Sequence, residues 1–260
     1  MTRSLIAVLA ALPFASAAFG ADVAPAPIPT TAPAGLLGIS ETGWETNAEL
    51  GIAGTSGNQD TTNIHAGLAT LHTDEDGRTK GLLSYDHSIN NGVVNQNRFV
   101  ADATRDFFVF EKESKWGLYG NLRYEYNDFI AWNHQLSAFA GPSYRFMQDE
   151  AYTLIGRAGL GGRYKSHGPT DNGSFTPEAQ LGADFTWKID ERQKFEAATT
   201  VYPGLKDGKA FRSITTAGYS LAIDATKSLK LSAEHDYDSS QTNPFRKSDV
   251  KYWVTLSMKL

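Results

Sequence analysis

With 260 residues, 20% of them charged and 12% aromatic, 24 glycines and no cysteine, the chain has room for one ordinary domain or one medium-sized barrel. The lack of cysteine excludes a disulfide framework, a thiolate metal site and a thiol nucleophile. The negative mean hydropathy excludes a bundle of transmembrane helices but not a membrane-spanning barrel, in which half of each strand faces a polar lumen.

Residues 1–20 read as a secretory signal peptide. Arg3 gives a positive start, Leu5 to Phe14 a short apolar core, and Ala15-Ser16-Ala17-Ala18-Phe19-Gly20 a run of small residues suited to cleavage. The apolar stretch is shorter than the roughly 20 residues a helix needs to cross a bilayer. Residues 21–42, with Pro25, Pro27, Pro29 and Pro33 among alanines, predict an extended periplasmic tail rather than a strand or helix. The formal charge of −5 grows more negative if Arg3 is removed, which argues against a nucleic-acid partner.

From residue 43 to 260 one pattern persists. Apolar and polar residues alternate in twelve runs, 44–55, 62–73, 80–89, 93–108, 116–127, 134–147, 152–165, 175–189, 194–202, 211–223, 228–237 and 248–260, separated by turn-rich stretches. The last run is the clearest: Val250, Tyr252, Val254, Leu256, Met258 and Leu260 share one face, and Asp249, Lys251, Trp253, Thr255, Ser257 and Lys259 the other. Period two is the strand signature. With one apolar parity per run, 25 charged residues fall on the polar face and one, Arg105, on the apolar face. A soluble half-buried sheet also alternates, so a secreted β-sandwich is the competing fold. The export signal, the even strand count and the aromatic residues near run ends favour a membrane barrel. Those aromatics are Trp44, Phe107, Trp116, Phe146, Tyr152 and Trp187 at one level and Tyr126, Tyr164, Phe175, Tyr237 and Tyr252 at the other.

The expected fold is therefore all-β: a closed antiparallel transmembrane barrel of about twelve strands in an up-and-down meander, in the outer membrane. With both termini periplasmic, the periplasmic connections are Asp74–Thr79, Val109–Lys115, Gln148–Ala151, Asp190–Gln193 and Asp224–Lys227. The outer set includes the longer Lys165–Ser174, Pro203–Ala210 and Asp238–Lys247. Pro142 cannot donate to a strand ladder and predicts a β-bulge at Gly141-Pro142. The expected surroundings are outer-membrane lipid and, during insertion, the barrel-assembly machinery; no protein partner is indicated.

Several segments resemble a known family. Thr55-Ser56-Gly57-Asn58 resembles the S-G-N turn of the YdiY-like family, which is described as salt-induced outer-membrane proteins of unknown function. Gly159-Leu160-Gly161-Gly162-Arg163-Tyr164 is similar to its glycine-rich strand, and Arg246-Lys247-Ser248-Asp249-Val250-Lys251-Tyr252 to its closing strand. The resemblance spans 43–260 and implies a role in salt or osmotic stress, with no catalytic residues to carry over. One departure is the last residue: such barrels usually end in Phe, and this chain ends in Leu260.

No motif predicts catalysis, a metal or a cofactor. Asp86-His87-Ser88-Ile89-Asn90 superficially resembles the His/Ser neighbourhoods of lipid-cleaving barrels. Adjacent strand residues point to opposite faces, however, so His87 and Ser88 cannot share a proton; the segment reads as a strand end at an Asn-Asn-Gly turn. His65, His72, His134, His167 and His235 lack ligand spacing. Glu234 and Asp236 share a face, as lumen residues commonly do.

The polar face carries 12 acids and 13 bases. A selective pore shows an excess of one sign, whereas a balanced set suggests ion pairs crossing a narrow interior. The candidate lumen network is Glu49, Asp86, Arg98, Asp102, Arg123, Glu125, Arg145, Arg157, Arg163, Glu178, Asp184, Glu196, Glu234 and Asp236. Two functional readings follow: a non-enzymatic barrel with a largely filled lumen, or a passive or gated pore for small polar solutes. An outer-membrane lipid hydrolase is a distant third.

Overall fold

Alternating sequence makes strands here because each run offers one apolar and one polar face, and a closed ladder is the way a sheet can satisfy every backbone group without an edge. The computed structural model describes residues 43–55, 60–108, 114–168, 171–206, 211–241 and 247–260. The expected signal peptide and tail, the turn residues Ser56–Asn58 and Arg246 lie outside these. All described residues belong to one compact unit. Among them there are twelve strands and no helix long and apolar enough to cross a membrane.

The strands are β1 (Gly43–Thr55), β2 (Thr61–Thr73), β3 (Gly77–Asn90), β4 (Val93–Phe108), β5 (Trp116–Asn127), β6 (His134–Gln148), β7 (Tyr152–Ser166), β8 (Ser174–Lys188), β9 (Gln193–Pro203), β10 (Phe211–Ala222), β11 (Lys227–Asp238) and β12 (Ser248–Lys259). Each pairs antiparallel with its chain neighbours, and β1 meets β12 to close the barrel. The expected closed meander of twelve strands is the observed one, and the β-sandwich is excluded. Strands run from 11 residues in β9 to 16 in β4, enough to cross a hydrocarbon layer, which takes about 9–11 tilted residues. Four of the five connections at the end carrying both termini have three or four residues, as at Asp74–Asp76 and Ile189–Arg192, and the β4–β5 connection has seven; the distal end carries the longest, residues 239–247, beside the two-residue β3–β4 turn.

Local chemistry explains individual joints. β3 and β4 join through Asn91 and Gly92, with φ of +49° and +77°, the two left-handed residues of a tight hairpin turn. Asn91 Oδ1 also accepts the Asp60 amide at 2.9 Å. The bulge expected at Gly141-Pro142 lies elsewhere: the β6–β7 register shifts between Arg145 and Met147, leaving Phe146 as the extra residue. On the β5 side Pro142 pairs in register with Leu118. On the β7 side the regular pairs resume at Ser143↔Arg157 after Ala140↔Leu160, so the proline interrupts hydrogen bonding without adding a residue. A second shift falls between Ser88 and Ile89.

β6 and β7 approach unusually closely around this proline. A Cβ on Gly161 would collide with the Ala138 carbonyl oxygen, and one on Gly141 with that of Ala158. The glycine-rich segment is a place where two backbones pack together. Gly161→Ala is expected to cost about 1–3 kcal/mol by overpacking and to lower the urea midpoint of refolding into vesicles. Gly120→Ala, which meets nothing within 4 Å, should leave that midpoint unchanged.

The outer wall is apolar. Leu50, Leu118, Leu160, Leu181, Leu231 and Val254 are all half or more exposed on it or nearly so. Aromatic rings gather at its two rims: Tyr152 and Trp187 stack at 5.9 Å near the terminus-bearing end, and Phe211 and Tyr237 lie 6.0 Å apart at the distal end. Arg105, a strand charge on the apolar parity, sits at a rim. Its guanidinium forks onto both carboxylate oxygens of Asp74, each at 2.9 Å. That hydrogen bond holds the Asp74 carboxyl below its ordinary range.

Candidate lumen site

Twelve polar strand faces converge on the barrel interior, and their charges organise into clusters that join strands far apart in sequence. In the distal half, Arg98 of β4 is 3% exposed. Its Nε donates to Glu125 Oε1 at 2.7 Å, its Nη1 to Glu234 Oε1 at 2.6 Å and its Nη2 to Asp236 Oδ2 at 3.1 Å. Asp86 lies 4.0 Å from Nη1. One guanidinium thus spans from β4 and β5 across the lumen to β11, using the forked geometry that suits arginine to several carboxylates. Lys251 of β12 adds a second cation, 3.4 Å from both Glu234 and Asp236. Arg123 completes the group, 3.6 Å from Asp102 and 3.4 Å from Glu125.

Beside it, Glu178 of β8 is 1% exposed and lies between two arginines. Arg212 Nε donates to its Oε2 at 3.1 Å. Arg163 Nε lies 3.2 Å from its Oε1, at ion-pair distance but without hydrogen-bond alignment. Arg163 Nη1 reaches Asp238 Oδ2 at 2.6 Å. The Arg212 guanidinium also sits 3.5 Å over the Tyr202 ring.

Below this layer a cluster narrows the lumen. Tyr119, Phe139 and Tyr202 are buried together, with Ile214 against them. Phe139 and Tyr202 ring centroids are 5.2 Å apart. Tyr119 Oη donates to Gln180 Oε1 at 2.6 Å, and Gln180 Nε2 donates to Tyr202 Oη at 3.4 Å. The polar tips of these rings find partners, as buried tyrosines require.

Toward the terminus-bearing end the interior opens into a cavity of about 430 Å³, lined among others by Glu45, Arg78, Lys80, Arg157, Asp184 and Glu196. Arg157 Nε and Nη2 bond both oxygens of Asp106 at 2.8 Å, and Nη1 bonds Asp184 at 2.8 Å. Lys80 Nζ joins Asp184 at 2.7 Å, Lys230 Nζ joins Glu49 at 2.7 Å and Lys194 Nζ lies 3.2 Å from Glu196. Arg145 is anchored at the rim, donating to Gln148 Oε1 at 2.8 Å and to the Ser114 carbonyl, with its guanidinium over Phe108. The fourteen candidate lumen residues are thereby placed: two distal clusters around Arg98 and Glu178, a lower group around Arg157 and Asp184, and Arg145 at the rim.

The remaining candidate motif is taken apart by the pleat. Ser88 Oγ donates to Asn63 Oδ1 at 2.5 Å, while His87 is 3.5 Å from the Tyr85 hydroxyl, on the opposite face. Among the described residues no group of three or more metal-binding side chains converges.

Residues 48–259 match the family described as "Protein of unknown function, DUF481". The chain belongs to that family. No curated protein matches this DUF481 chain. Among solved structures it is similar to the NanC porin, at 11% identity and TM-score 0.48, covering 84% of this chain and 100% of that one. It is also similar to the translocator domain of autotransporter NalP from Neisseria meningitidis, at 12% identity and TM-score 0.47, covering 85% and 90%. A third is the KdgM porin in complex with disordered oligogalacturonate, at 11% identity and TM-score 0.42, covering 83% and 99%.

Sequence reasoning missed the narrowing layer and Arg78. Tyr119, Phe139 and Tyr202 do carry a signal, since each shares its strand parity with charges: Tyr119 with Arg123, Phe139 with Arg145, Tyr202 with Lys194 and Glu196. Aromatic residues on a charged face mark a filled interior. Arg78 fell in an expected turn because Gly77-Arg78-Thr79 has no apolar alternation, yet β3 begins at Gly77.

Proposed function

We propose that this chain is a non-enzymatic outer-membrane barrel whose lumen is braced shut in its distal half. The observation that carries this is Arg98, one buried guanidinium holding carboxylates of β5 and β11 across the interior, directly beside the Glu178 pair of arginines. Ion pairs that span a lumen cross-link its walls and occupy the space an open channel needs. The apolar outer wall with aromatic rims supports placement in a membrane, with outer-membrane lipid around it and the barrel-assembly machinery as the route of insertion. The test has two readings. The protein should fractionate with outer membranes and migrate faster when unboiled; recovery in the soluble periplasm would sink the proposal. In planar bilayers the wild-type chain should conduct close to nothing, and large open-channel currents would overturn the braced lumen.

A second reading, a gated pore for small polar solutes, is favoured by the 430 Å³ charged cavity at the terminus-bearing end. It predicts steps of conductance under some voltage or salt condition. The link to salt or osmotic stress rests on the family resemblance; a deletion strain that grows like its parent across salt concentrations would remove it.

A further inference from the structure

The barrel wall is closed unequally around its circumference. The β1–β12 seam holds four residue pairs, from Asn47↔Lys259 to Leu50↔Leu256. The other seams hold from eight, at β8–β9, to fourteen, at β3–β4. Both strands continue past the last rung. β1 runs on through Gly51–Thr55, paired to β2, and β12 extends distally to Ser248, paired to β11. Above Leu50 and Leu256 their facing edges form no regular pairs. Gly51 still packs against the Val254 carbonyl and Thr255, so the opening, a notch in the wall, begins above Ile52 and is about three residues tall, or roughly 10 Å at a strand's rise per residue. Exposure marks the same place: Tyr252 is 85% exposed, and Ala53, on the lumen parity, is exposed too. In a bilayer, unpaired strand edges of this kind occur only where they border protein or a polar cavity.

A polar cavity of the lumen reaches this seam at Trp253. It has a volume of about 280 Å³ and is lined by Trp253, His65, Glu49, Lys230, Leu82 and Ala198 among others. Trp253 stands on the lumen parity of β12, with its ring 4.8 Å from His65, whose Nδ1 is 2.6 Å from Asp86. Trp253 Nε1 and Thr255 Oγ1, two residues apart on this face, are buried without a hydrogen-bond partner. Unsatisfied buried donors call for an explanation, and Trp253 lies beside the unpaired stretch of this seam, with Thr255 just below it against Gly51.

We propose that the β1–β12 notch is a lateral portal, and that the Trp253 cavity binds the acceptor-bearing head of a single-chain amphiphile whose apolar tail lies in the notch. The chemistry matches at both ends. Ile52, Tyr252 and Val254 flank the opening with apolar surface continuous with the outer wall. Trp253 Nε1–H, with the Lys230 ammonium that also holds Glu49, offers donors on the cavity wall to a carboxylate or phosphate head. A strand from a second copy would pair the two edges but would leave the Trp253 donor unmet, so the amphiphile accounts for more of what is seen. The site rests on the membrane reading above.

The test uses the full mature chain refolded in phosphatidylcholine vesicles, with Trp253 kept as the sole tryptophan by Trp44→Phe, Trp116→Phe, Trp132→Phe and Trp187→Phe. A companion keeps Trp187, on the outer wall, instead. A brominated long-chain fatty acid is titrated in as quencher. Quenching of Trp253 is expected to saturate and to be reversed by unbrominated fatty acid, while that of Trp187 rises in proportion to bilayer content. The chain has no cysteine, so Ile52→Cys with Val254→Cys, on facing outward positions of the two strands, gives a lock across the foot of the notch. Its oxidation should weaken the saturable quenching by at least about tenfold, and reductant should restore it. Trp253 quenching that follows Trp187, or that ignores the lock, overturns the portal. A Tyr252→Cys chain that cross-links to a second copy in the vesicle overturns it in favour of an interface between copies. Insertion is read separately from the mobility of unboiled protein, and a wild-type chain that fails to insert overturns the membrane reading itself.

Discussion

Arg98→Ala is expected to destabilise the barrel by about 3–5 kcal/mol, the range for removing one partner of a buried ion pair. The reason is the charge left behind. Glu125, Glu234 and Asp236 are each bonded to this one guanidinium, and without it Lys251 and Arg123 remain to balance them and Asp86. Carboxylates in a poorly hydrated interior that lose their cation face both desolvation and mutual repulsion. Urea titration of the refolded barrel in vesicles should show a lower midpoint with an unchanged slope, which marks a change in stability rather than in the surface exposed. Arg98→Lys should fall between, since an ammonium keeps the charge and loses the fork. Pairing Arg98→Ala with Glu234→Gln should recover part of the loss, because the second change removes one stranded charge; strict additivity of the two would mean that they do not interact. A midpoint for Arg98→Ala equal to wild type would show that water reaches this cluster freely, and the braced lumen would be untenable.

Opening the narrow layer should turn a silent barrel into a conducting one. Tyr119 and Tyr202 are buried in the interior and linked to each other through Gln180. Tyr119→Ala with Tyr202→Ala removes both rings, joins the terminus-side cavity to the space beneath the Glu178 group, and frees Arg212 from the ring it covers. Conductance in planar bilayers is expected to rise by roughly an order of magnitude or more, because a constricted barrel conducts through its narrowest section. Adding Arg98→Ala should raise it further. Tyr119→Phe keeps the ring and loses the hydrogen bond to Gln180; it should leave conductance near wild type while lowering stability slightly. If the double alanine variant is folded and still silent, the block lies in the distal ion pairs alone. If wild type already conducts like the variant, the rings do not close the lumen.

Much of this architecture was legible in the sequence because strand period is a local property. The alternation in Val250–Leu260 sets the outward face of β12 from side chains two residues apart, and the same reasoning placed the twelve strands to within a few residues. Asn91-Gly92 announced its turn because few other pairs tolerate two left-handed residues. Strand parity also predicted which charges look inward. Parity, however, assigns a residue to a face and names no partner on it. Arg98 and Glu234 are 136 residues apart and meet because the stagger of the closed sheet brings their levels together across the lumen, a quantity set by all twelve registers at once. The same holds for the seam. β1 and β12 each read as a full-length strand, yet they share four rungs, since closure depends on the accumulated shifts of every other pair, including the extra residue at Phe146. The amino-acid sequence by itself determined the strands, their faces and the sign of each inward charge; the tertiary structure alone decided which charges pair, which rings narrow the lumen and where the wall is left open.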